Sequence, residues 1–127
     1  MSGQDPVQIR LPEEQMQQFI KLRQEDERLT ENLNKVTAQL DLELRNRRTK
    51  FVTRREISSY PEDTRVFQSV GKAFVLGTVP KICESLRDDL KKSDDKILKI
   101  KKTGIFIVSQ RDETNSQISE LVKPFMK

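Results

Sequence analysis

Two long heptad patterns, separated by one short alternating pattern, organise this chain. From Val79 onward one repeat position holds Val79, Leu86, Ser93, Ile100, Ile107, Thr114 and Leu121. The other holds Cys83, Leu90, Ile97, Gly104, Arg111, Ile118 and Phe125. Ten of these fourteen positions are apolar over six heptads, which predicts a helix that buries one seam against another helix. Thr78 is placed to cap it, Pro80 suits its first turn, and Pro124 should end it near Lys123. Lys102–Gln110 is a local conflict, because its β-branched residues favour a strand and Gly104 costs a helix about 1 kcal/mol relative to alanine. Ile100, Ile107 and Ile118 keep the heptad across it and decide for helix.

The first pattern starts at Pro12, with Glu13 and Glu14 at the positive end of the helix dipole. Phe19, Leu33 and Leu40 take one seam position, interrupted by Asp26, and Leu22, Leu29 and Val36 take the other. Past Leu40 the seam positions fall on Glu43 and Arg47, whereas Leu44 and Phe51 continue the apolar stripe after a shift. This predicts a stutter, with the helix ending near Phe51 or Val52. Such a helix spans roughly 60 Å at about 1.5 Å per residue, a length that calls for a coiled-coil partner.

Between the helices, residues 53–64 are polar, contain Pro61 and read as a connector. Residues 65–77 then alternate. Val66, Gln68 and Val70 share one face and Phe67 and Ser69 the other; after Gly71, Phe74 and Leu76 share a face, as do Ala73 and Val75. Gly71 between Val70 and Lys72 suits a tight hairpin turn. A lone hairpin with two apolar faces and two open edges is marginal in water and prone to aggregate. The residues alone therefore predict that several chains donate hairpins to one shared sheet or barrel. The predicted fold is mainly α: two long helices, 12–52 and 78–123, form an antiparallel coiled coil and are joined by the connector and one hairpin of an intersubunit β-barrel. Residues 12–127 form a single domain behind a flexible tail, 1–11, in which Pro6 and Pro12 discourage regular structure.

Composition narrows the function classes. Of 127 residues 35% are charged, 34% are hydrophobic and none is Trp, enough for helical seams but not for a wide core. The net charge of +4 arises from 24 basic and 20 acidic residues, mostly interleaved, as on a solvated helix surface. Cys83 is the only cysteine, so there is no disulfide framework and a reducing compartment fits. No apolar run approaches the roughly 20 residues needed to span a bilayer, and the start of the chain lacks a signal-peptide core. The expected location is the cytoplasm. Histidine is absent, and no phosphate loop, metal-ligand set or activated nucleophile stands out. An enzyme is not expected, and no catalytic, cofactor or metal residue is nominated.

The connector and hairpin carry a specific resemblance. Glu56–Ile57, Phe67, Val70–Gly71–Lys72 and Phe74–Val75–Leu76 resemble the corresponding stretch of β-class subunits of the prefoldin family, and the architecture is similar over about residues 12–123. A single hairpin, rather than two, is the β-class mark. The resemblance implies one subunit of a hexamer of two α-class and four β-class chains, whose hairpins build a double barrel from which coiled coils hang. It implies partners of three kinds: other prefoldin subunits, unfolded clients such as actin and tubulin, and the cytosolic chaperonin that receives them without use of ATP. No cofactor and no membrane enter this picture.

Two residue sets follow from the residues and the resemblance together. Val66, Phe67, Val70, Gly71, Phe74, Val75 and Leu76 are the assembly set. Met16, Phe19, Ile20, Leu121, Val122, Phe125 and Met126, at the helix ends away from the hairpin, are the client-binding set, since a frayed seam frees apolar side chains and methionine adapts to many shapes. The run Arg45, Arg47, Arg48, Lys50, Arg54 and Arg55 reads as a solvated helix end favoured by the C-terminal dipole. The alternative is a coiled-coil scaffold or a basic nucleic-acid-associated protein. A plain scaffold has no use for a two-faced apolar ribbon. A nucleic-acid binder should interleave aromatics with its cations, and only Phe51 lies within the run.

Overall fold

The computed structural model describes residues 10–126. Helix α1 spans Glu13–Ser58, strands β1 and β2 span Val66–Val70 and Ala73–Gly77, and helix α2 spans Val79–Val122, followed by one 3-10 turn at Lys123–Phe125. The tail 1–11 predicted from the sequence lies outside the described residues up to position 9. The chain divides into two compact units, and each helix contributes to both.

The unit Thr37–Lys102 contains the hairpin. Here α1 departs from the sequence expectation twice. First, no stutter occurs. The strict heptad continues through Glu43, Arg47, Lys50, Arg54 and Ile57, all half-buried, while Leu44, Phe51 and Val52 are exposed. The reason is polar pairing across the seam. Ser93 Oγ, at 2% exposure, donates to Glu43 Oε1 at 2.9 Å. Arg47 pairs with Asp94, and Arg54 Nε donates to the Cys83 carbonyl at 3.2 Å. Shifting the register to bury Leu44 and Phe51 would break the hydrogen bond from Ser93 to the Glu43 carboxylate, a contact to a charged group of the kind worth about 1.5–3 kcal/mol. Arg54 reaches a residue earlier in α2 than Glu43 and Arg47 do, so the helices run antiparallel.

Second, α1 extends through Ser58 rather than stopping near Phe51 or Val52, and the connector shortens accordingly. Ile57 closes the seam, and the hydroxyls of Thr53, Ser58 and Ser59 satisfy the carbonyls of Thr49, Arg55 and Glu56. Polar side chains that weaken a helix interior here serve its last turns. A turn closed by Thr64 N–H on the Pro61 carbonyl leads into β1.

The hairpin register pairs Val66 with Gly77, Phe67 with Leu76, Gln68 with Val75, Ser69 with Phe74 and Val70 with Ala73. Gly71, at φ +60°, takes the first place of the two-residue turn, the left-handed conformation that glycine adopts without strain. The return helix starts as its sequence suggests. Thr78 Oγ1 accepts from the Lys81 N–H at 3.4 Å and the Thr78 carbonyl accepts from the Ile82 N–H. Val79 and Ile82 are buried, and Ile82 lies against Gly77 at the hairpin's base. A Cβ at Gly77 would stand 2.8 Å from Ile82 Cδ1, so the missing side chain there is what lets the strand lie against the helix.

The second unit comprises the described residues of Met1–Val36 and Thr103–Lys127. Leu29, at 2% exposure, and Ile107 anchor its seam. Thr114 is also buried, its hydroxyl donating to the Gln110 carbonyl at 3.0 Å. Arg111 Nε lies 3.5 Å from Asp26 Oδ1, and neither atom has a hydrogen-bond partner among the described residues. The helices are again antiparallel, because Asp26 meets Arg111 while Val36, further along α1, meets Gly104. The helix persists through Lys102–Gln110 despite its β-branched content, and its α-helical part stops at Val122, before Pro124.

Gly104 is a conformational cost without a steric need, since an added Cβ would meet Val36 Cγ1 at an ordinary 3.6 Å. Gly104→Ala should therefore raise unfolding stability by about 0.5–1 kcal/mol. Thermal and urea denaturation check this, and a lower midpoint would refute the reading of that seam position.

Candidate functional site

The alternation of β1 and β2 divides the hairpin's side chains between two faces. Cross-strand partners point the same way, so Phe67, Ser69, Phe74 and Leu76 form one face. Val66, Gln68, Val70, Ala73, Val75 and Gly77 form the other. Phe67, Phe74 and Leu76 are 61%, 75% and 56% exposed, and Val70 and Val75 exceed half. Only Val66 and Gly77, against the start of α2, are half-buried. Among the described residues the sheet has no third strand. Both outer edges therefore present unpaired backbone groups, which is the template on which another strand adds.

Of the seven hairpin residues singled out from the sequence, the structure thus places Phe67, Phe74 and Leu76 on one exposed face. Val66, Val70 and Val75 lie on the opposite one, and Gly71 turns the chain between them. The six apolar side chains do not converge on a pocket. They form a ribbon that is apolar on both sides, a geometry suited to the middle of a larger sheet rather than to the wall of a ligand site.

The other set lies in the second unit. A cavity of about 690 Å³ is lined there by Gln18, Lys21 and Leu22 of α1 and by residues of α2 from Glu113 to Leu121, so α1 near Leu22 faces α2 near Leu121. The antiparallel order carries Met16, Phe19 and Ile20 to the same end as Val122, Phe125 and Met126. Met16, Phe19, Leu121 and Val122 are half-buried, whereas Ile20, Phe125 and Met126 are exposed at 49%, 37% and 58%. Phe125 does not extend the seam as its heptad position suggests. Pro124 diverts the backbone into a 3-10 turn and turns Phe125 toward solvent.

The structure adds exposed apolar groups that the heptad reading did not single out. Ile105, Phe106 and Val108 stand 70%, 62% and 42% exposed on α2. They occupy positions outside the seam, where heptad spacing carries no signal. Electrostatics near these surfaces is that of exposed helix pairs. A hydrogen bond from Arg28 holds the Glu25 carboxyl below the ordinary carboxylate range, and the same contact raises Arg28. Both groups are solvent-exposed, so the pair contributes little. Among the described residues no cluster of three His, Cys, Asp or Glu side chains is placed to hold a metal ion. No helix there is long and apolar enough to cross a membrane.

The bare hairpin faces yield a direct expectation. Phe67→Ser combined with Phe74→Ser should lower binding of the dye ANS by the isolated chain while far-ultraviolet circular dichroism stays helical. An unchanged ANS signal would mean that these rings are not the exposed apolar surface.

Comparisons with known proteins agree with this architecture. A family model described as prefoldin subunit matches residues 13–124. A probable prefoldin subunit 1 from Dictyostelium discoideum is 22% identical over 107 residues, covering 84% of this chain and 93% of that protein. Prefoldin subunit 1 from Danio rerio is 30% identical over 71 residues, 56% of this chain and 58% of its own length. The crystal structure of the prefoldin beta subunit from Thermococcus strain KS-1 superposes with a TM-score of 0.81. That match covers 92% of this chain and 99% of the other at 19% identity, a likeness of fold.

Proposed function

This chain belongs to the prefoldin subunit family, and from that premise we propose that it joins a heterohexameric co-chaperone through its hairpin and holds unfolded polypeptides at its far helix ends. The observation that carries the proposal is the hairpin, whose Phe67, Phe74 and Leu76 face and Val70 and Val75 face are both exposed within the chain. Burying such a ribbon between neighbouring strands removes apolar area from water, at about 25 cal/mol per Å², and closes two open edges at once. A coiled-coil scaffold would gain nothing from it.

In this reading the chain is a β-class subunit, one of four beside two α-class subunits, and its resemblance runs to subunit 1. Val66, Phe67, Val70, Gly71, Phe74, Val75 and Leu76 build the shared barrel. Met16, Phe19, Ile20, Leu121, Val122, Phe125 and Met126 supply weak, adaptable contacts to non-native chains. Several coiled coils acting together raise the effective concentration and turn weak contacts into a firm hold. Clients such as actin and tubulin then pass to the cytosolic chaperonin without ATP, in the cytoplasm. No chemistry is required of the subunit, since capture and release rest on reversible apolar contact.

Two outcomes test the two halves separately. Phe74→Asp or Val70→Asp places a carboxylate in the proposed barrel and should abolish co-purification with the other subunits while leaving the chain helical by circular dichroism. Normal incorporation of both variants would end the barrel assignment. Removal of the residues after Glu120 should leave assembly intact but weaken suppression of aggregation of a denatured client several-fold. Undiminished suppression by the assembled, truncated complex would count against the helix ends as the binding site.

A further inference from the structure

The basic run of α1 is not explained by the helix end. Between Arg45 and Arg55 there are six cations and no acidic residue, yet α1 continues to Ser58 and only Arg55 lies in its last turn. The dipole acts within that turn, so Arg45, Arg47, Arg48 and Lys50 gain little from it. Three of the six cations are already engaged. Arg45 pairs with Asp41, Arg47 with Asp94, and Arg54 with the Cys83 carbonyl. Arg48, Lys50 and Arg55 have no anionic partner among the described residues.

Beside these cations lie apolar side chains that the absence of a stutter turns outward. Leu44 is 43% and Phe51 48% exposed. They stand seven residues apart on one side of α1, about 10.5 Å along its axis, with Arg48 between them and Arg55 next on the same stripe. Asp41, Leu44, Arg45, Arg47, Arg48 and Phe51 line a surface concavity of about 510 Å³. Its single carboxylate is the one that Arg45 holds.

We propose that this face of α1 is a docking surface for an acidic amphipathic helix of a partner protein. Apolar residues seven apart on the incoming helix would seat against Leu44 and Phe51, with a carboxylate between them to meet Arg48 and another beyond them to meet Arg55. Guanidinium groups suit this role, because each can engage a carboxylate through two parallel N–H donors. The aliphatic Leu44 beside the aromatic Phe51 favours a peptide over a nucleic acid strand, for which stacking on successive aromatics would be wanted. The surface lies outside the hairpin and the far helix ends, so it stands independently of the barrel and client assignments.

The test uses the full chain and a fluorescein-labelled synthetic helix with leucines seven residues apart and glutamates between and beyond them. Saturable binding that weakens as salt rises is expected. Arg48→Glu with Arg55→Glu should lower affinity about tenfold, the change expected when two exposed ion pairs become repulsions. Phe51→Ala should lower it as well, at unchanged salt dependence. Both variants should elute at the wild-type size, because neither position lies on the seam. No binding of the probe, or binding that both variants retain, overturns the proposal. So does equal binding of the same peptide with lysines in place of glutamates. Tighter, Arg48-dependent binding of single-stranded oligothymidylate would likewise overturn it and mark the face as a nucleic-acid surface.

Discussion

The structure depends on how polar groups inside a narrow helical seam find one another. Only Leu29, Val79, Ile82, Ile97 and Ile107 are buried apolar residues among those described, too few to fix two long helices in one alignment by burial alone. Alignment comes from Glu43 on Ser93, Arg47 on Asp94 and Arg54 on the Cys83 carbonyl. Apolar seams tolerate a slip of one heptad, because one leucine replaces another. Ser93, at 2% exposure, disfavours it, since a slip breaks its hydrogen bond to the Glu43 carboxylate. In the unit that carries the hairpin, register is therefore held by a few directional contacts. The other unit has the looser polar layer, Asp26 with Arg111, in which proximity is not matched by hydrogen-bond geometry.

The hairpin inherits its placement from the start of α2. Thr78 caps the helix, Val79 and Ile82 are buried, and Gly77 offers no side chain where Ile82 needs room. Rigidity at the base contrasts with exposure everywhere else on the ribbon. Such a division suits a docking element, since its direction is set by its own chain and its surfaces are left for others. The alternation that makes each strand also ensures that folding back cannot hide both faces, because covering one leaves the other bare.

Much of this was legible in the sequence, and the misses along α1 have related causes. Helix α2 was readable because ten of fourteen seam positions are apolar, and the hairpin because alternation, Gly71 and the Thr78–Pro80 start all agree. The far half of α1 was not. Its seam residues are charged, and their partners sit some 29 to 50 positions away in sequence, beyond the reach of any local pattern. Leu44 and Phe51 acted as decoys, offering an apolar stripe that the folded chain leaves in water. The end of α1 was misplaced for a related reason, as Thr53, Ser58 and Ser59 look like connector residues until their hydroxyls are seen closing the last turns. The exposure of the hairpin residues could be read from alternation, whereas Met16, Phe19, Leu121 and Val122 at the helix ends are half-buried, and polar pairing across the seam is a tertiary fact.

One consequence of the uncovered ribbon concerns supply rather than shape. Apolar faces that none of the described residues shields make the free energy of the chain a function of its surroundings. Where complementary strands are abundant, mass action draws the chain into their company and stabilises its fold as any bound ligand would. A copy made in excess keeps two water-facing apolar sides and two unsatisfied edges, and its nearest available match is another surplus copy. On the proposed assembly, balanced production becomes a physical requirement imposed by ten strand residues and a two-residue turn.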